Sequence, residues 1–138
     1  METKQYSDDE RMHLSFIQGV INRMNSNSFS MKGWMVTVVA ALAALYASST
    51  AQSPEVYLYI AIIPVVIFWC LDTFYLKLEK KYRMLYDDVV AGSADLYSMD
   101  IDNYKGRICF FKVMFSKTEL PVYLPVLVLL VVALKWFV

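Results

Sequence analysis

Uncharged, mostly apolar residues fill positions 33–49 and 56–71, and a third apolar run, 120–138, carries a single charge at Lys135. At ~1.5 Å of rise per helical residue, each run is about long enough to cross the hydrocarbon core of a bilayer. The polar link at 50–55, Thr-Ala-Gln-Ser-Pro-Glu, has turn residues and no Lys or Arg. The first two runs therefore read as an antiparallel transmembrane hairpin. Upstream, Met12, Phe16, Ile17, Val20, Ile21 and Met24 recur at three- and four-residue spacing, with Ser15, Gln18, Asn22 and Arg23 on the other side. That is the period of an amphipathic helix, suited to lie in the headgroup plane or to pack on a neighbour. Residues 1–10 are polar and expected to fray. Asn25, Ser26, Asn27 and Ser28 are all good N-caps, so the chain is expected to break there and restart as the first span. The pattern predicts an all-α membrane protein with three transmembrane helices, an amphipathic N-terminal helix and a cytoplasmic insert between spans two and three. Its segments are 1–32, 33–76 (the hairpin), 77–117 (the insert) and 118–138.

Charge gives this pattern a direction. The 138 residues are 58% hydrophobic with zero net charge, yet twelve of the thirteen Lys and Arg fall in 1–32 or 77–117 and none in the link. By the positive-inside rule those two segments face the cytoplasm, while the link and the C-terminus lie outside. Trp34, Trp69, Tyr75 and Tyr123 then sit near inner ends, and Tyr46, Tyr57, Tyr59 and Trp136 near outer ends, as interfacial aromatics do. The first run follows some thirty residues that include Asp8, Asp9 and Glu10, unlike the short basic start of a cleavable signal.

The spans differ in texture. Gly33, Thr37, Ala41, Ala44 and Ser48 share one face of the first, flanked by Ala40 and Ala47. Small residues let backbones approach closely in lipid, so Thr37, Ala41, Ala44 and Ser48 are candidate pore or subunit-interface positions. Positions 126–132 are all Leu and Val and read as lipid-facing. Pro64 is expected to kink the second span. Asp72 ends it, and a carboxylate at the membrane rim is costly. It sits in the headgroup zone, pairs with Lys77 or a hydroxyl such as Thr73, or serves at a pore mouth or subunit interface.

The insert has a basic start (Lys77, Lys80, Lys81, Arg83) expected to continue the second helix. An acidic middle follows (Asp87, Asp88, Asp95, Asp100, Asp102), broken at Gly92-Ser93. The basic return (Lys105, Arg107, Lys112, Lys117) is interleaved with Phe110, Phe111 and Phe115. Cations beside rings suit single-stranded nucleic acid: Lys80, Lys81, Arg83, Lys105 and Arg107 for phosphates, with Tyr82, Tyr86 and Tyr104 for stacking. They equally suit membrane lipid, with cations on anionic headgroups and rings in the interface. The acidic middle weighs against a continuous phosphate groove. No zinc-protease helix, nucleophile elbow or phosphate loop occurs, and His13 stands alone. Cys70 and Cys109 read as reduced cytoplasmic-side thiols without metal spacing. The chain reads as a non-enzyme with no cofactor and no metal.

The segments Asn22-Arg-Met-Asn-Ser-Asn-Ser-Phe-Ser-Met-Lys-Gly-Trp-Met-Val-Thr, Phe68-Trp-Cys-Leu-Asp-Thr-Phe-Tyr-Leu and Phe115-Ser-Lys-Thr resemble small bacterial membrane effectors of antiphage defence operons, encoded beside nucleotidyltransferases. Within that class the chain looks most like the channel effector of the Hailong systems, a similarity of pattern over most of 13–125. The resemblance implies a homo-oligomeric ion channel, a tetramer, whose opening arrests the infected cell. It also implies a cytoplasmic crown that binds a single-stranded DNA oligomer from the partner nucleotidyltransferase and stays shut while DNA is bound. The insert is the region large enough for such a crown. A holin-like membrane disruptor and a non-conducting anchor or assembly subunit are the alternatives.

Overall fold

The structure, a computed structural model, describes residues 6–50 and 52–137. Expectations that fall on residues 1–5, on Ala51 of the link and on Val138 lie outside the described residues. Within them the fold is all-α. Its four helices are α1 (Asp8–Ser48), α2 (Val56–Ala91), α3 (Phe110–Met114) and α4 (Leu120–Phe137), with one 3-10 turn, Asp102–Tyr104, between α2 and α3.

α1 starts ahead of the apolar stripe because its first turn is capped. The Ser7 hydroxyl accepts from the Glu10 N–H at 3.2 Å, and the Glu10 carboxylate accepts from the Ser7 N–H at 2.7 Å. This reciprocal pair satisfies two orphan donors, and Asp8, Asp9 and Glu10 complement the helix dipole. Residues 7–10 are thus tied down instead of frayed. The expected break at Asn25–Ser28 does not occur, and α1 runs unbroken for 41 residues. A capping side chain acts only where the backbone leaves the helix, and here the backbone does not leave it. The Ser28 hydroxyl turns inward to Asp72, and the Ser30 hydroxyl donates back to the Ser26 carbonyl at 2.9 Å. Packing of α1 on α2 on both sides of this stretch outweighs the weak helix propensity of Ser and Asn, well under ~1 kcal/mol each.

α2 runs 36 residues through Pro64 and past the end of its apolar run. It stops at Gly92, whose φ of 76° is the left-handed value that suits glycine. The Gly92 and Ser93 amides close on the Val89 and Asp88 carbonyls at 3.0 and 2.9 Å, a Schellman-type end.

The two long helices meet along a seam with two apolar cores. One holds Met35, Leu58, Ala61, Val65, Trp69, Tyr123 and Leu130, from α1, α2 and α4. The other holds Ile17, Ile21, Leu85, Val89 and Tyr104. Of the stripe read in the sequence, Ile17 and Ile21 face inward while Met12 and Phe16 are half exposed. The inward face continues instead through His13, which is fully buried. Its Nε2–H donates to the Ser98 carbonyl at 2.8 Å and its Nδ1 accepts the Tyr97 N–H at 3.2 Å, one neutral tautomer serving both. Tyr97, at φ 62°, also donates its hydroxyl to Asp9 at 2.9 Å. The loop after α2 is therefore pinned to α1 at three points.

Around the first core the outer surface is apolar. Ile60, Ile63, Val66, Ile67, Leu71 and Phe74 of α2 and Leu124, Val128, Leu129, Val131 and Val132 of α4 are all exposed. A skin of this size is not left to water in a soluble monomer. α1 and α2 are long and apolar enough to cross a membrane, and α4 is a shorter apolar helix. These features are consistent with a membrane-associated protein.

Candidate functional site

Between the two cores lies a layer of buried polar side chains. Asp72 on α2 is fully buried and its carboxylate accepts from three directions. The Ser28 hydroxyl donates to Oδ1, while Lys32 Nζ and the Tyr123 hydroxyl (2.8 Å) donate to Oδ2. Lys32 spends its other two protons on Glu119 Oε1 at 3.0 Å and Ser28 Oγ at 3.2 Å. One ammonium thus ties α1 to α2 and to the residue that leads into α4. The Tyr123 ring stacks on Trp69 at 5.5 Å and 6°, and the Trp69 indole N–H donates to the Met114 carbonyl at 3.1 Å. These rings separate the ionic layer from the apolar core beneath it.

The charges do not cancel. Two fully buried carboxyl groups, Asp72 and Glu119, face a single lysine, and Glu119 Oε2 has no donor. Uncompensated charge in an apolar setting is costly. Buried ionisable groups whose charges are not matched are candidates for function.

Asp72 was legible as unusual and does meet hydroxyls, but those of Ser28 and Tyr123 and not that of Thr73, and its cation is Lys32 and not Lys77. Among the described residues the small face of α1 is left open: Gly33, Thr37, Ala40, Ala41, Ala44, Ala47 and Ser48 are exposed. Its two hydroxyls fold back, Thr37 onto the Gly33 carbonyl at 2.9 Å and Ser48 onto that of Leu45 at 3.3 Å.

The eight residues read as nucleic-acid contacts do not share one surface. Lys80 and Arg107 come together with Lys112 and Lys117 around one concavity. Arg83 and Tyr86 line another with Gln18 and Asp87, and Arg83 is held by Glu79 at 2.7 Å. Lys81 is half-buried, as is Tyr82 against the second core, and Lys105 pairs with Asp102 at 2.7 Å. Tyr104 is buried, with its hydroxyl on Asp88 and the Arg107 guanidinium 5.5 Å over its ring. Burial and the Asp88 carboxylate push its phenol up to about 12. The Cys109 thiol is drawn down by the Lys112 and Phe111 amides at the start of α3. Beyond Arg107 the surface turns acidic, with Asp88, Asp95 and Asp100 around a further concavity.

No known protein family, curated protein or solved structure matches the chain. The residues that sequence reasoning missed are Ser28, Lys32, Glu119 and Tyr123. Their one sequence signal is position: Lys32 and Glu119 each bound an apolar run on the side where Asp72 ends another.

Proposed function

We propose that the protein is a homo-oligomeric membrane channel, an effector of the antiphage kind it resembles. α1, α2 and α4 are its three spans, with the N-terminus and the second core cytoplasmic and the C-terminus outside. In this reading a single-stranded DNA oligomer on the cytoplasmic half holds the channel closed, and its loss opens the channel and stops growth.

One observation carries the proposal. α1 and α2 run unbroken from the apolar half into the polar half, about 60 and 54 Å long at ~1.5 Å per residue. The Lys32–Asp72–Glu119 layer clamps them together between the two cores. Force applied to the polar half therefore reaches the apolar half without a hinge, which is what a gate worked by a cytoplasmic ligand requires. The unpartnered small-residue face of α1 supplies a place for further copies to pack closely.

The test is ion flux from vesicles containing the purified chain. Conductance is expected, with suppression by an added single-stranded oligonucleotide. Ala44→Phe should disrupt both the oligomer and the flux, whereas the same bulk at Val128 should leave them. A monomer that conducts nothing would make the chain an anchor. Leakage of large solutes that no oligonucleotide suppresses would make it holin-like.

A further inference from the structure

The concavity that collects Lys80, Arg107, Lys112 and Lys117 has a volume of about 480 Å³. Its other lining residues are Ile108, Cys109, Val113, Phe115 and Ser116, with no carboxylate among them. Among the described residues none of the four cations forms an ion pair, although Arg83 and Lys105 close by both do. Lys80, Lys112 and Lys117, with Arg107 at the border of the acidic hollow, gather positive charge around one concavity, and an anion seated there relieves their mutual repulsion. The Ser116 hydroxyl is buried without a partner at the same place, a spare donor.

Position says which anion. Lys80 lies six residues beyond Phe74, the last exposed apolar residue of the α2 skin, and Lys117 precedes α4 by three residues. The hollow therefore sits just past the end of the exposed apolar skin. α3 and the residue that caps its end add Phe111 and Phe115, four positions apart and 67% and 58% exposed, beside Lys112. The Trp69 bond to Met114, and the edge of Trp69 against Phe115 at 5.6 Å, hold α3 in place. Rings for acyl chains and cations for a phosphate thus meet at one level. A nucleic-acid strand is the poorer occupant, because the Asp88, Asp95 and Asp100 hollow on the far side of Arg107 blocks a continuing row of phosphates.

We propose that this concavity is a binding site for the headgroup of an anionic phospholipid. Lys80, Arg107, Lys112 and Lys117 hold the phosphate, and the chains run along Phe111 and Phe115. The inference rests on the membrane reading above. It withdraws Lys80 and Arg107 from the strand-binding set.

Cys109 in the wall of the site reports its occupancy. In a Cys70→Ser background, the full chain in vesicles of phosphatidylcholine alone should react readily with a soluble maleimide. Vesicles containing phosphatidylglycerol should protect the thiol. Lys112→Gln with Lys117→Gln should raise the phosphatidylglycerol fraction needed for half protection by roughly tenfold, two cations being removed from the headgroup. Arg11→Gln with Arg23→Gln, the same charge change on α1, should leave it unaltered. Equal loss of protection in both variants would reduce the effect to general surface potential and overturn the site. Protection in phosphatidylcholine vesicles by inorganic phosphate, or by a single-stranded oligonucleotide, with none from phosphatidylglycerol, would assign the hollow to a free phosphate or a strand instead. Flotation with the vesicles separates the two readings. A chain that floats yet shows no lipid-dependent protection loses only the lipid site, and one that does not float loses the membrane reading and the site together.

Discussion

Lys32 holds two carboxyl groups with one charge, so its removal leaves both of them buried and uncompensated. Breaking a buried ion pair from one side costs about 3–5 kcal/mol, whereas replacing all its members with apolar groups is often neutral. Lys32→Met is therefore expected to lower resistance to denaturation in micelles sharply, read by circular dichroism against added dodecyl sulfate. Lys32→Met combined with Asp72→Leu and Glu119→Leu should recover most of the loss. Tyr104 makes a separate prediction for the second core. Its phenol ionises at about 12 in the fold instead of the ordinary 10.0, so what its hydroxyl contributes is fully present below pH 10 and is lost as pH rises through 12. Tyr104→Phe should flatten the pH dependence of helicity in that window and lower stability below it. At this scale the sequence was half legible. A carboxylate closing an apolar run stands out as costly, which singled out Asp72. Its partners do not, because Ser28, Lys32 and Tyr123 lie 40 to 51 positions away and each has an innocent local explanation: a cap, a positive-inside lysine, an interfacial tyrosine.

Among the elements, α2 could be read almost whole. No breaker follows Leu76, and Gly92 is the first residue after it that favours a helix end, so the helix continues through the basic start of the insert and stops there. α1 could not be read whole. Asn25 to Ser28 have the composition of a helix start, and only the presence of α2 alongside makes an unbroken helix the lower-energy state. The loop after α2 lay beyond pattern altogether. Its shape depends on His13, some 85 positions upstream, and on Tyr97 accepting a left-handed backbone to meet it. α3, with five residues, is too short to show a period.

Over the whole molecule, the all-α class and the apolar character of the first two runs follow from periodicity and length. The division into two cores with an ionic layer between them does not, since it arises from which faces the helices turn to each other. That arrangement makes α1 a shaft with teeth at both ends, and a shaft has a phase. At 3.6 residues per turn, one residue added after Arg23 would rotate everything N-terminal to it by about 100° and advance it ~1.5 Å. His13, Ile17 and Ile21 would then turn away from α2 while Lys32 and Met35 stayed in place. Such an insertion should abolish slow hydrogen exchange around Ile17 and Ile21 and leave the exchange around Met35 unchanged. Seven residues added at the same point return the face to within ~20°. Matched by seven after Leu78 in α2 and by a longer return between Tyr104 and α3, they should lengthen the molecule and keep both cores. Changes of length between the cores are thus tolerable only in steps of about two turns, so the distance between the two cores is quantised.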